Sequence, residues 1–183
     1  AGARLLLAHQ TRSLAEIVRD INKFSNNVMA RQLYLALGAI ANGAPATSEK
    51  SAHTIRQWLA SRGLAFPELV LENGSGLSRN ERLSAKSLGQ LLLAAHRSAV
   101  MPELAASLSL VAVDGTMKKR LSGAEIAGQA HIKTGTLSGV RAMAGYVLDR
   151  RGRTMVVVCI INHGRASETQ PAQDALLKWV YGR

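Results

Sequence analysis

Residues 131–137 read HIKTGTL, a run of apolar and β-branched residues that predicts a β-strand. The apolar segments 141–148 and 154–161 predict two further strands, joined to each other by a tight turn at 149–153. Pro171 is typical of the first turn of a helix. The carboxyl end therefore predicts an antiparallel sheet followed by a helix that packs on it through four apolar residues, Ala175, Leu176, Trp179 and Val180.

Upstream of the sheet the sequence predicts helices. Apolar residues recur at helical spacing in two segments, Leu14, Ile17, Val18 and Ile21 and then Val28, Leu33, Leu35 and Leu37. Two more helices are predicted to begin at the capping residues Thr47 or Ser48 and at Ser84. The short apolar run 5–8 predicts a strand. The sequence thus predicts an α+β fold with a helical region at about 10–125 and the sheet and terminal helix at about 130–183.

Composition narrows the class of protein. The chain has 183 residues, of which 47% are hydrophobic, and this is enough to bury a core. Lys and Arg outnumber Asp and Glu by 23 to 12, so the formal charge of +11 attracts polyanions. The single Cys159 excludes an internal disulfide and is predicted to be a buried, inert thiol. The five histidines lack metal-ligand spacing, and we expect neither a zinc site nor a cofactor.

The first predicted strand carries chemistry as well as structure. Lys133-Thr134-Gly135-Thr136 lies on it, and the glycine permits close approach of a ligand or another backbone. Acyl transfer by a serine requires a positive group near the nucleophile, hydroxyls that orient the substrate carboxylate, and an N–H that stabilises the oxyanion. This strand supplies all three. Penicillin-recognising serine enzymes combine such a Lys-Thr-Gly strand with Ser-x-x-Lys and Ser-x-Asn motifs.

Ser-x-Asn occurs twice, at 25–27 and at 78–80. The first copy lies between two predicted helices, well upstream of the Lys-Thr-Gly strand, whereas Ser78 follows a glycine-rich loop. We therefore assign the motif to Ser25 and Asn27. Because Ser and Asn also cap helices, a purely structural role at the start of the second helix is the alternative.

Five ordered blocks make nearly the whole chain resemble one family, the D-alanyl-D-alanine carboxypeptidase/endopeptidase penicillin-binding proteins of bacterial cell-wall metabolism, of the low-molecular-mass, large-insert kind. The blocks are SNN at 25–27, NGSGLSR at 73–79, DGTM at 114–117 with Arg120, HIKTGTL at 131–137 and RAMAGY at 141–146. The resemblance implies a β-lactamase/transpeptidase-like fold.

The resemblance also implies roles for individual residues. Ser25 is expected to relay a proton between the catalytic lysine and the leaving amine, and Asn27 to position the substrate and that lysine. Lys133 is expected to add positive charge near the nucleophile and the terminal carboxylate of the peptide. Three further residues are expected to bind substrate: Thr134 and Thr136 through their hydroxyls to its carboxylate, and Gly135 by keeping the edge open. The N–H of Thr136 is expected to contribute to the oxyanion hole.

The nucleophile of this family is absent from the sequence. No serine in the 183 residues has a lysine three positions on, so Ser-x-x-Lys is lacking. In the family it precedes Ser-x-Asn, with a large insertion between them. The resemblance therefore implies that residues 1–183 are the carboxy-terminal portion of one incomplete domain, that the amino-terminal segment is missing, and that this chain alone is inactive.

Partners and location also come from the resemblance. It implies peptidoglycan stem peptides and β-lactams as ligands, the missing amino-terminal segment as partner, and a periplasmic location. The sequence does not distinguish a carboxypeptidase from an endopeptidase, because both activities use the same chemistry. Arg141 is expected either to hold the loop after the strand or to touch substrate, and a structural salt bridge is favoured over catalysis.

Two other functions are weighed against this one. One is a basic, non-catalytic module that binds an anionic polymer through the basic runs 118–120 and 150–153; the other is a relative of the serine β-lactamases. Aromatic residues make up only 4% of the chain and no groove-reading motif is present, which argues against nucleic acid.

Overall fold

The computed structural model describes residues 5–183, and in them six α-helices and a four-stranded antiparallel sheet of order β1-β2-β3-β4. The helices are α1 Leu14–Phe24, α2 Asn27–Asn42, α3 Ser48–Ser61, α4 Ala85–His96, α5 Met101–Ser107 and α6 Gln170–Tyr181. The strands are β1 Ser109–Leu110, β2 Ala130–Leu137, β3 Val140–Leu148 and β4 Thr154–Asn162, and short 3-10 turns lie at Gly115–Met117 and Ala166–Glu168.

Helices α1 and α2 meet at an abrupt junction. Helix α1 begins with a capping box between Ser13 and Glu16 and ends where Ser25 takes a left-handed backbone, with φ 52° and ψ 47°. Helix α2 begins immediately afterwards, because the Asn26 side chain accepts the N–H of Met29 over 3.0 Å. The junction therefore fixes Ser25 between two helix ends.

Close contacts hold α2 against its neighbours. A Cβ at Gly38 would lie 2.5 Å from Ser51 Oγ, so α2 and α3 approach as near as a glycine allows. The loop at Gly74 packs on the same helix, since a Cβ there would lie 2.4 Å from the Cβ of Tyr34. Gly74 also has φ 66°, a backbone that favours glycine. The Gly74 contact places this loop against the middle of α2, at Tyr34.

The sheet separates two apolar clusters. On one side, Ile132, Met143, Val147 and Val157 pack with Leu177 and Val180 of α6. On the other side, Tyr146 packs with Leu92 and Leu108, and its hydroxyl donates to the Leu92 carbonyl over 2.7 Å. Because side chains alternate across a strand, Lys133 points to the side of α4 and α5, opposite to Ile132. This alternation directs Lys133 towards the helical region.

The three long strands, their turn, the terminal helix and the capped helices confirm the predicted α+β architecture. The strand predicted at residues 5–8 is wrong. A strand requires a hydrogen-bonded neighbour, and no strand among residues 5–183 pairs with this segment, whose Leu5, Leu6 and Leu7 are 79%, 90% and 82% exposed.

The predicted packing face of α6 is partly wrong. Ala175 and Trp179 are exposed, whereas Gln173 and Leu177 are buried together with Val180. Positions 173, 177 and 180 follow i, i+4 and i+7 spacing, so the buried face of the helix is rotated away from the predicted one.

Candidate active site

The outer edge of β2 is mostly open. Strand β1 pairs with β2 only at His131 and Ile132, while β3 pairs with all eight residues of β2 on the other edge. Among residues 5–183, no strand covers the outer edge from Lys133 to Leu137. An extended peptide can add to such an edge through main-chain hydrogen bonds.

A cleft of about 760 Å³ lies along this edge. Its walls come from the α1–α2 junction, the loop at 74–77, the 3-10 turn, β2 and the first turns of α6. Every residue assigned from the sequence lines it, and they are Ser25, Asn27, Lys133, Thr134, Gly135 and Thr136. The structure thus brings together motifs that lie more than a hundred residues apart in the chain.

Ser25 and Lys133 are in direct contact. Lys133 Nζ donates to Ser25 Oγ over 2.5 Å and to the carbonyl oxygen of Thr134 over 2.7 Å. Burial lowers the pKa of Lys133, because the ammonium loses hydration. No ion pair formed within residues 5–183 includes Lys133. In the described part of the chain its ammonium therefore donates to two neutral oxygens and has no carboxylate partner.

Asn27 joins the helical region to the glycine-rich loop. Its Nδ2 donates to the carbonyl oxygen of Ser75 over 2.5 Å. The loop is held in turn by Glu81, whose Oε1 accepts three successive backbone N–H groups, at residues 72, 73 and 74, over 3.1 to 3.3 Å. This carboxylate fixes the loop whose residues 74–77 line the cleft.

The second Ser-x-Asn copy has a different environment. Ser78 Oγ donates to Glu72, and Asn80 Nδ2 donates to the same carboxylate over 2.8 Å. Ser78 Oγ also accepts the N–H of Asn80 over 2.9 Å. Neither residue lines the cleft, so this copy ties a surface loop together.

The hydroxyls of the Lys-Thr-Gly strand face the α6 side of the sheet. Thr134 Oγ1 donates to Thr116 Oγ1 over 2.8 Å. Thr136 pairs across the strands with Arg141 in the β2–β3 register. Arg141 donates to the Ser167 carbonyl over 3.1 Å and to Gln170 Oε1 over 3.0 Å. The predicted salt bridge of Arg141 is wrong, because its guanidinium meets neutral oxygens instead of a carboxylate within residues 5–183.

Several residues of the cleft wall were not predicted from the sequence. Thr116 belongs to the DGTM block at 114–117 but was not predicted to have a role, and neither were Gln170 and Gln173. Gln173 is 1% exposed, and within residues 5–183 neither its amide nitrogen nor its amide oxygen has a hydrogen-bond partner. The signal that could have found Gln173 is its helical spacing of four and seven residues from the apolar Leu177 and Val180.

A partly buried ion pair lies two residues before Ser25 in the chain. Lys23 Nζ donates to Asp114 and to the Leu108 carbonyl, the latter over 3.1 Å. Burial raises the pKa of Asp114, but the hydrogen bonds from Lys23 and from the N–H of Leu110 outweigh it and hold the pKa below its ordinary value. This pair anchors the last turn of α1 to the segment that contains Thr116.

The two basic runs are partly neutralised. In the run 118–120, Arg120 is buried and binds Asp174 through its Nε over 2.9 Å. In the run 150–153, Arg150 pairs with Glu125, and Arg153 pairs with Asp149 over 2.7 Å. These pairings reduce the charge that either run presents to an anionic polymer.

Two features are absent from the part of the chain that the structure describes. No helix within residues 5–183 is both long and apolar enough to cross a membrane. No cluster of three or more His, Cys, Asp or Glu side chains in the same residues has the arrangement of a metal site.

Comparisons with known proteins agree on one family. The profile of the D-Ala-D-Ala carboxypeptidase 3 (S13) family matches residues 1–181. A D-alanyl-D-alanine carboxypeptidase of Actinomadura sp. (strain R39) is 33% identical over 95% of this chain and 33% of its own length. The D-alanyl-D-alanine carboxypeptidase DacB of Haemophilus influenzae is 27% identical over 87% of this chain and 34% of its own. The chain thus spans about a third of these relatives.

A solved structure gives the same answer for the fold. Penicillin binding protein 4 (dacB) from Haemophilus influenzae, complexed with a novel β-lactam, superposes with a TM-score of 0.81 and 26% identity. The match covers 92% of this chain and 41% of that one. The predicted penicillin-binding, transpeptidase-like fold is therefore confirmed.

Proposed function

The chain belongs to the D-Ala-D-Ala carboxypeptidase 3 (S13) family, and on this premise we propose that it is the carboxy-terminal part of a serine-type D-Ala-D-Ala peptidase. The enzyme acts on peptidoglycan stem peptides through an acyl-enzyme. The proposal depends chiefly on one observation, the hydrogen bond between Lys133 and Ser25. Two motifs 108 residues apart meet in one cleft in the arrangement that this chemistry needs.

Ser25 transfers a proton during cleavage. Amide hydrolysis requires a general acid for the leaving amine. Ser25 Oγ accepts a hydrogen bond from Lys133 in the structure, so its own proton is free to point into the cleft. The neighbouring ammonium also favours a partial negative charge on Ser25 Oγ, which eases transfer of that proton. Ser25 thus relays protons between the base of the nucleophile and the leaving amine.

Lys133 binds the negative charges of the substrate. A half-buried ammonium without a carboxylate partner interacts more strongly with an incoming anion than an exposed one does. The anions are the carboxylate of the terminal residue and the oxyanion of the acyl-transfer intermediate. Thr134 and Thr136 orient that carboxylate, and the N–H of Thr136 contributes to the oxyanion hole.

Asn27 and Gly135 position the substrate backbone. Asn27 lies at the other wall, where its amide nitrogen already binds the Ser75 carbonyl and its amide oxygen can accept a substrate N–H. Gly135 keeps the edge of β2 accessible to a ligand. Among the described residues, a Cβ at this position would meet only Ala142 on β3, at 3.6 Å, so the protein itself leaves the space beside Gly135 open. An extended peptide adds to this edge as a further strand.

The nucleophile comes from outside these residues. The 183 residues contain no Ser-x-x-Lys, and Ser25 lies beside Lys133 rather than a lysine on its own helical turn. The chain alone is therefore expected to be inactive. The gene sequence upstream of the Ala1 codon is expected to encode Ser-x-x-Lys, followed by a large insertion.

β-Lactams occupy the same cleft. A β-lactam carries a carboxylate and a strained amide, and so it can use the contacts of the natural peptide. The Haemophilus influenzae relative was solved with a β-lactam bound. Peptidoglycan lies outside the cytoplasmic membrane, and we place the enzyme in the periplasm for that reason.

The test is release of D-alanine by the full-length protein that contains this chain. We expect release from an N-acylated peptide that ends in D-Ala-D-Ala, and inhibition by benzylpenicillin through a long-lived adduct. An adduct that turns over rapidly, with no D-alanine release, would identify a β-lactamase instead. Tight, salt-sensitive binding of DNA without either reaction would support the basic binding module.

A further inference from the structure

A chain of three hydroxyl groups runs from the cleft into the protein beneath it. Thr134 Oγ1 donates to Thr116 Oγ1 over 2.8 Å, and Thr116 Oγ1 lies 3.2 Å from Ser109 Oγ. Ser109 Oγ donates in turn to the carbonyl oxygen of Lys23 over 3.4 Å. Lys23 precedes Ser25 by two residues. The chain of hydroxyls therefore connects the Lys-Thr-Gly strand with the carboxyl end of α1.

The turn that presents Thr116 is tightly packed. Ser109 is fully buried, and its Oγ also accepts the N–H of Thr116 over 3.1 Å. Gly115 has φ 56°, and a Cβ there would lie 2.3 Å from Ser109 Oγ and 2.8 Å from the Lys23 carbonyl oxygen. Asp114, the residue before Gly115, forms an ion pair with Lys23. The Thr116 hydroxyl is thereby held in a fixed place beside Thr134.

The number of protons limits what Thr134 can do. Each hydroxyl has one proton to donate and lone pairs that accept. In the structure Thr134 donates its proton to Thr116, and so none is left for a carboxylate in the cleft. If Thr134 turns its proton towards a carboxylate, its oxygen can accept from Thr116 instead. Two hydroxyl rotations achieve this reversal without movement of any heavier atom.

We propose that Thr116 is a positioning residue for carboxylate recognition, because it reverses its hydrogen bond with Thr134 and so lets Thr134 donate to the carboxylate of the ligand. A charged acceptor strengthens the hydrogen bond that it receives and polarises the next one along the chain. The reversed arrangement is therefore favoured only when a carboxylate is bound. The inference rests on the proposed function, since it requires a ligand whose carboxylate lies beside Thr134.

The experiment compares two ligands that differ only in this carboxylate. Full-length protein containing this chain is treated with benzylpenicillin or with benzylpenicillin methyl ester, and the second-order rate constants of acylation are measured. Thr116→Val replaces the hydroxyl by a methyl group of similar size, and Thr116→Ser keeps the hydroxyl. We expect Thr116→Val to lower the rate with the free acid about 10-fold and to leave the rate with the ester unchanged. Thr116→Ser is expected to retain the preference for the acid.

Thr154→Val, at the exposed start of β4, is the matched control and is expected to react like the unaltered protein. An equal loss with both ligands would limit Thr116 to a structural role, and an unchanged rate with the acid would remove any role. Either result overturns the inference and leaves the proposed function standing. Absence of acylation in the unaltered protein would overturn both. Thr116→Ala serves as the second hydroxyl-free variant if Thr116→Val does not fold.

Discussion

Lys133 Nζ lies 2.5 Å from Ser25 Oγ, although 108 residues separate the two in the chain. The contact exists because α1 ends at Ser25 in a left-handed turn while β2 directs every second side chain towards the helical region. A half-buried ammonium without a carboxylate partner is costly to maintain. A ligand that supplies negative charge recovers part of that cost, which is the physical basis of the proposed site.

Removal of the Ser25 hydroxyl is expected to slow acylation of the full-length protein by about 100-fold or more, since a positioned proton donor contributes about that factor. The measurement is the acylation rate of Ser25→Ala with benzylpenicillin. Ser122→Ala removes a hydroxyl from an exposed loop and is expected to change nothing. A rate for Ser25→Ala equal to that of the control would leave Ser25 with only its role at the helix junction.

Acylation is also expected to depend on the charge of Lys133. Burial lowers the pKa of Lys133 below its ordinary value of 10.5, so the ammonium is lost as pH rises through this lowered pKa. The acylation rate with benzylpenicillin is expected to fall in that range. Lys133→Arg keeps its charge, and the ratio of its rate to that of the unaltered protein should therefore rise with pH. A ratio that stays constant with pH would refute this dependence.

Gly145 is expected to tolerate no side chain. A Cβ there would lie 2.0 Å from the carbonyl oxygen of His131 on the adjoining strand. Gly145→Ala is expected to lower the free energy of unfolding by about 3 kcal/mol. Gly89→Ala is the matched control: its Cβ would meet only Val158, at 3.9 Å, and within α4 alanine should stabilise by about 0.5–1 kcal/mol. Urea unfolding of the chain measures both, and equal effects would contradict the expected clash.

Glu68 is expected to confer stability that acid removes. Hydrogen bonds from Ser84 and Ser87 at the start of α4 lower the pKa of Glu68 from 4.5 to about 2. Because the folded-state pKa is the lower one, the stabilisation is complete above pH 4.5 and is lost as pH falls towards about 2. Glu68→Gln should therefore destabilise the chain at neutral pH and flatten its unfolding free energy across this window. The free energy of unfolding is measured with urea at several pH values. If that of Glu68→Gln changes with pH as steeply as that of the unaltered protein between pH 4.5 and about 2, the assignment is refuted.

The local parts of the fold followed from the sequence. Ser84 began its helix as predicted, because a cap depends only on residues within one turn. Lys133 and Ser25 were identified separately, each from a short motif in a predicted element. Ser25 lines the cleft, whereas Ser78 donates to Glu72 and does not line it.

What depends on tertiary packing was not predictable. A salt bridge was favoured for Arg141, but the residues within its reach depend on how the 3-10 turn Ala166–Glu168 and α6 pack beside β3. The role of Thr116 depends on its distance from Thr134, 18 residues away in the chain. The two-residue β1 is too short to leave a pattern in the sequence.

The central claim is that Ser25, Asn27 and Lys133 form half of a catalytic site whose nucleophile lies elsewhere. Intact-mass spectrometry after benzylpenicillin treatment tests it most directly, on residues 1–183 and on the full-length protein in parallel. We predict no adduct on residues 1–183 and a single adduct on the full-length protein, at the serine of a Ser-x-x-Lys motif. An adduct on Ser25 of the shorter chain, or none on the full-length protein, would contradict the claim.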